Sequence, residues 1–175
     1  HGIHHTKDVC EAVERLARWE GVKAAELYLL KTAALYHDAG FIDSYESNEP
    51  IGAKLAKEML PSFGYTESQI EQVIELIEAT KIPQNPKNHL EEIMCDSDLD
   101  YLGRGDFYPI AETLRKELIQ FGKIGTDEKI WINMNIGFLS QHKYFTKSAK
   151  LRREPNKQER IEDLKKKAES FSIEN

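Results

Sequence analysis

Apolar residues recur at intervals of three and four along almost the whole 175-residue chain, and they alternate nowhere long enough to make a strand. The expected fold is therefore all-α, a compact multi-helix bundle. Val9, Val13 and Leu16 stripe a first helix that Gly21 punctuates, and Thr6 is placed to cap its start. Residues 24–36 are apolar nearly all round, which marks the buried centre of a bundle, with Gly40 as the stop. Pro50 sits in the first turn of a third helix, Ile51 to Leu60, and Pro61 closes it. Thr66 with Gln69 three residues later is a capping-box pattern ahead of Ile70, Val73, Ile74 and Ile77. Residues 82–88 hold two prolines and read as a loop. Further helices are expected at about 89–102, 108–121, 127–144 and 156–170.

With 40% hydrophobic residues, a chain of this length buries a real core without disulfides. Its longest apolar runs are only a few residues, so no membrane span is expected. Cys10 and Cys95 are far apart in helical stretches, which fits a reducing, cytoplasmic setting. The chain opens on His1-Gly2-Ile3-His4-His5, without Met or a signal-peptide pattern, and reads as starting inside a longer natural chain. Charge is uneven: residues 1–142 carry 14 basic and 24 acidic side chains, net −10, whereas residues 143–167 carry 10 and 4, net +6. That contrast divides the chain into a helical domain, 1–145, and a basic C-terminal helical extension, 146–175, packed on it or trailing from it. An acidic body with so short a basic stretch argues against nucleic-acid binding as the main role. The basic stretch suits either phosphate-bearing ligands or solvent.

Three places put polar groups where a helical reading expects burial. His37 ends the apolar helix on the face of Leu30 and Ala33, with Asp38 directly after it. Either the pair has a buried partner, or His37 caps the helix dipole and Asp38 faces water. On the helix that carries Asp96, Asp98 and Asp100, a wheel sets Asp98 within the stripe of Leu90, Met94 and Tyr101 and turns Asp96 and Asp100 to water. A core-facing Asp98 needs a metal, a buried cation or a helix end. His5 immediately precedes the first amphipathic helix. Two imidazoles and two carboxylates from three helices make a set that can enclose a divalent cation.

His5-Thr6-x-x-Val9, Leu35-Tyr36-His37-Asp38-Ala39-Gly40 and Cys95-Asp96-Ser97-Asp98-Leu99-Asp100 together resemble the HD-domain metal-dependent phosphohydrolase superfamily, over roughly residues 1–104. The resemblance implies an HD-type bundle in which His5, His37, Asp38 and Asp98 bind a divalent metal. Two-metal members have further histidines after the HD pair. Asn48 and Thr80-Lys81 stand near those positions here, implying a one-metal site. The Glu-Asp pair of the guanosine-tetraphosphate hydrolases is replaced by Phe41-Ile42-Asp43.

One divalent ion would roughly neutralise the four ligands, and Fe, Mn, Mg, Ni and Zn all suit so mixed a set. The expected activity is hydrolysis of a small phosphoester, a nucleotide or nucleotide-derived phosphate among the candidates, by a metal-activated water. Asp38 would share in catalysis as a ligand. Lys81 is a candidate phosphate-binding cation or a solvated loop lysine, and Asp43 and Glu46 are candidate general acids or supporting groups. Arg104 is placed to reach either the site or a surface carboxylate. The competing expectation is a non-catalytic sensor, regulatory or nucleotide-binding module of a longer chain. Oligomeric state is not legible from the residues.

Overall fold

A computed structural model of the chain describes residues 2–42 and 48–173. Among these are eight α-helices and no strand: α1 Ile3–Trp19, α2 Ala24–Tyr36, α3 Asn48–Met59, α4 Glu67–Ala79, α5 His89–Asp98, α6 Phe107–Gln120, α7 Glu128–Gln141 and α8 Lys147–Ile173. They form two compact units, one of residues up to Leu99 together with Phe145–Ser148, the other of Asp100–Tyr144 and Ala149 onward. The division at residue 145 drawn above follows charge, whereas these units follow contact. No helix among the described residues is long and apolar enough to cross a membrane.

In the first unit α2 is the hub, packed by α1, α3, α4 and α5, as its all-round apolar sequence predicts, while α5 also packs on α1 and α4, and α3 on α4. Val9, Val13, Leu16, Leu30, Val73, Ile77, Ile93 and Met94 fill the core between them. Local signals set several ends. Thr66 and Gln69 form the reciprocal capping box that starts α4. Asn88 caps α5 by accepting from Glu91 N–H, and Gly21 takes a φ of 70° beyond α1. Cys10 and Cys95 are both free.

Two glycines let α3 approach the end of α2. A Cβ on Gly40 would lie 2.1 Å from the backbone oxygen of Asn48, and one on Gly52 would lie 2.4 Å from that of Tyr36. Both blocking atoms are backbone, so an added methyl must move the helix. Gly40→Ala is expected to cost about 1–3 kcal/mol in chemical denaturation, the usual range for overpacking.

Three local expectations are corrected. Thr6 does not cap α1: the helix starts at Ile3, which places His5 within its first turn. Asp96 and Asp100 do not face water; they are 0% and 1% exposed. A wheel assumes one wet side and a helix that runs on, but α5 has Glu91, Ile93, Met94, Cys95, Asp96 and Ser97 all buried and ends at Asp98, so that Asp100 lies in the 3-10 turn beyond it. Finally, α8 runs unbroken from Lys147 through Pro155 instead of starting near 156. Contacts on both sides of the proline hold the helix, for Arg153 Nε donates to Asp100 and Asn156 Nδ2 donates to the Gly103 carbonyl.

Candidate metal centre

The first turn of α1, the C-terminus of α2 and the last residue of α5 meet inside the first unit. The amphipathic face of α1 turns His5 inward. His37 is the C-cap of α2, its N–H bonded to the Ala33 carbonyl, and it is 1% exposed. Asp38 follows it, and Asp98 ends α5.

The four side chains converge. Asp98 Oδ1 lies 3.2 Å from His5 Nε2 and 3.3 Å from His37 Nε2, and the two Nε2 atoms are 3.4 Å apart. Asp38 brings Oδ2 to 3.4 Å from His5 Nε2 and Oδ1 to 3.4 Å from His37 Nε2. His5, His37 and Asp98 each offer one ligand atom within 4.8 Å of the other two. Donors about 2.1 Å from a shared cation and about 90–110° apart stand about 3.0–3.4 Å from one another. The spacing therefore suits a single ion.

The tautomer suits it as well. His37 Nδ1 is 2.8 Å from the Ala34 carbonyl, so Nδ1–H donates there and the lone pair of the neutral ring sits on Nε2, which faces the cluster. Without an ion, protons take its place. Burial works against a charged His37, but the hydrogen bond and charge of Asp98, with the charge of Asp38, raise its pKa to about 9. Burial would raise Asp98, yet hydrogen bonds from His37 and His5 hold it well below the carboxylate range. Asp38 is raised, mainly by burial.

The supporting residues divide. Asp43 and Glu46 lie outside the described residues. Lys81 is exposed beyond the end of α4, its N–H bonded to the Glu78 carbonyl, and its side chain makes no hydrogen bond or ion pair with the cluster among the described residues. The C-terminus of α4 does abut α5, since Cys95 Sγ donates to the Ala79 carbonyl at 3.1 Å. Arg104 reaches carboxylates, Asp106 on the surface and buried Asp100 at 3.7 Å.

Two contributors were not read as part of the site. The buried amide of Asn48 donates either to Asp38 Oδ1 (3.3 Å) and the His37 carbonyl (3.4 Å) or, turned over, to the Glu49 carboxylate (3.0 Å). In both settings it stands beside Asp38, where the close approach at Gly40 puts it. Asp96 accepts from the N–H groups of Phe145 (2.9 Å) and Thr146 (2.8 Å) and from Thr146 Oγ1 (2.7 Å). It thereby ties residues 145–146 to α5 two residues before Asp98. No signal in the sequence points to this role, since the wheel turns Asp96 to water.

A helical unit that gathers two histidines and two aspartates from three helices defines a recognisable class of protein. The chain belongs to the HD domain family, whose model matches residues 2–102. No curated protein and no solved structure matches it.

Proposed function

We propose that this chain is a metal-dependent phosphohydrolase in which His5, His37, Asp38 and Asp98 hold one divalent cation and the substrate is a small phosphoester, a nucleotide or nucleotide-derived phosphate among the candidates. The observation that carries the reading is the convergence of both Nε2 atoms on the Asp38 and Asp98 carboxylates, with His37 Nδ1–H already committed to a backbone carbonyl. When bound, such a cation supplies Lewis acidity, polarising a phosphoryl oxygen and acidifying water. The protein's part is positional: Asp98 spans the two imidazoles, and Ala34 fixes the ring of His37. Lys81, beside the 82–88 loop, is the candidate to meet substrate phosphate, and Asp43 and Glu46 are candidates to deliver a proton to the leaving oxygen.

The test is phosphate release from a panel of phosphomonoesters and nucleotides by chelator-stripped protein reloaded with Fe, Mn, Mg, Ni or Zn. At least one metal is expected to support turnover, and Asp38→Asn to reduce it by at least ~100-fold, about 2.7 kcal/mol of barrier. Metal binding without turnover on any substrate would favour the regulatory reading. Absence of metal binding would overturn both.

The pH dependence has a definite sign. His37, raised above its ordinary value, stabilises the metal-free protein fully below about pH 6.5 and loses that contribution as pH rises through about 9. A metal must displace the same proton, so its apparent affinity rises over that range. The gain in Tm on adding metal should therefore be larger at pH 8 than at pH 6, by differential scanning calorimetry. A gain that shrinks with pH would count against Nε2 as a ligand.

A further inference from the structure

The C-terminus of α2 is held by the face of α3 that carries Asn48 and Gly52. The two residues are four apart and so share one side of the helix. Gly52 lies against the Tyr36 carbonyl and Asn48 against Gly40, each contact too close to admit a Cβ on the glycine. Tyr36 and Gly40 bracket His37-Asp38, so the same packing fixes Asn48 beside two of the candidate ligands. Asn48 is only 9% exposed, and a buried amide in such a place must spend its hydrogen bonds on what surrounds it.

The two settings of that amide are not equivalent. In one, Nδ2 donates to Asp38 Oδ1 at 3.3 Å and to the His37 carbonyl at 3.4 Å. Turned over, Nδ2 reaches the Glu49 carboxylate and the amide oxygen is set against both of those acceptors. A carboxylate that holds a metal is ionised, and the His37 carbonyl is fixed at the end of α2, so neither can relieve that contact. Glu49 can: it is half-buried in the first turn of α3, and its longer side chain can swing to water. The donating setting is therefore the one that goes with a bound cation. An Asp carboxyl group turns easily about its last torsion. With Oδ1 held by Asn48, the plane of Asp38 is set and Oδ2 stays toward His5, at 3.4 Å.

We propose that Asn48 is a positioning residue of the metal centre, its amide holding Asp38 Oδ1 so that the carboxylate meets the cation in one orientation. The role rests on the ligand set proposed above and is exerted through Asp38 alone. Groups that orient a metal ligand in this way are worth about 10–100-fold in metal affinity.

Calorimetric titration of the chelator-stripped full chain with Zn(II) tests this without any substrate. Asn48→Ala is expected to weaken zinc binding about 10–100-fold, and Asn48→Leu, which keeps the branched shape but removes the donor, to do the same. In an Asp38→Ala background either change should alter zinc affinity by no more than about twofold, because the group it acts through is gone. An Asn48 that only packs α3 on α2 would lower the Tm of the metal-free protein without this dependence on Asp38. The unaltered chain gives a second reading that needs no variant to fold. In the zinc-loaded protein the Asn48 side-chain N–H protons should show nuclear Overhauser contacts to the Asp38 Cβ protons and not to the Cγ protons of Glu49. Unchanged zinc affinity in Asn48→Ala, an equal loss in both backgrounds, or contacts to Glu49 instead of Asp38 would each overturn the proposal while leaving the ligand set standing. Absence of zinc binding by the unaltered chain would overturn the ligand set and the proposal together.

Discussion

Asp98→Asn is expected to cut divalent-metal affinity by at least ~100-fold and to lower the titration point of His37 in the metal-free protein. Asp98 Oδ1 is the atom both imidazoles share, at 3.2 and 3.3 Å. Residues that merely support a metal ligand are worth about 10–100-fold in affinity, so a carboxylate at the centre of the cluster should be worth no less. The second effect has a separate cause. His37 remains buried in the variant, and burial alone lowers its pKa; what raises it to about 9 is led by the hydrogen bond and charge of Asp98. Asp38 keeps a weaker pull in the same direction. The metal-free variant should also lose about 3 kcal/mol of stability near pH 6, the scale seen when one partner of a buried pair is removed. Calorimetric metal titration and NMR titration of the histidine ring protons read the two effects independently. Unchanged metal affinity would remove Asp98 from the ligand set, while an unchanged His37 titration would mean that Asp98 is not its main partner.

Asp96→Ala should cost about 3 kcal/mol in urea unfolding, as much as truncating a core side chain. Three donors converge on this fully buried carboxylate, two from the backbone of Phe145 and Thr146 and one from the Thr146 hydroxyl. Each buried group left without an acceptor costs about 1–3 kcal/mol, and local relaxation keeps the total below the sum. Thr146→Val removes only the hydroxyl and should cost about 1 kcal/mol. If Asp96→Ala cost no more than Thr146→Val, the two backbone bonds would contribute nothing measurable. Because Ser148 N–H also donates to Glu20 at 2.8 Å, the 145–148 segment has a second anchor and should loosen without the whole unit unfolding. Hydrogen exchange at Phe145 and Thr146 would show that loosening directly.

Much of the fold is legible in sequence because its signals are local. The all-helical class follows from the apolar period, the start of α4 from Thr66 and Gln69, and the break between α4 and α5 from Pro83 and Pro86. The members of the cluster were legible as well. His37 closes an apolar helix and Asp98 lies on an apolar stripe, so their polarity in those places needed a partner. The pattern His5, His37-Asp38, Asp98 supplied the order, and residues 2–102 match the HD domain.

The tertiary structure alone decided which groups meet and which helix faces stay wet. Helical periodicity describes one helix at a time and cannot say how many neighbours will cover it. That is why Asp96 and Asp100 looked solvated but are buried, one under the Phe145–Thr146 backbone and the other against Arg153. The same reason explains α8, which passes through Pro155 because contacts some fifty residues away hold both its flanks. Asn48 joins Asp38 only because Gly40 lets two backbones nearly touch, a long-range fact with no local signature. Periodicity and capping are written within a turn or two of chain; the partners of a buried charge are set by packing between segments, and only the folded chain contains them.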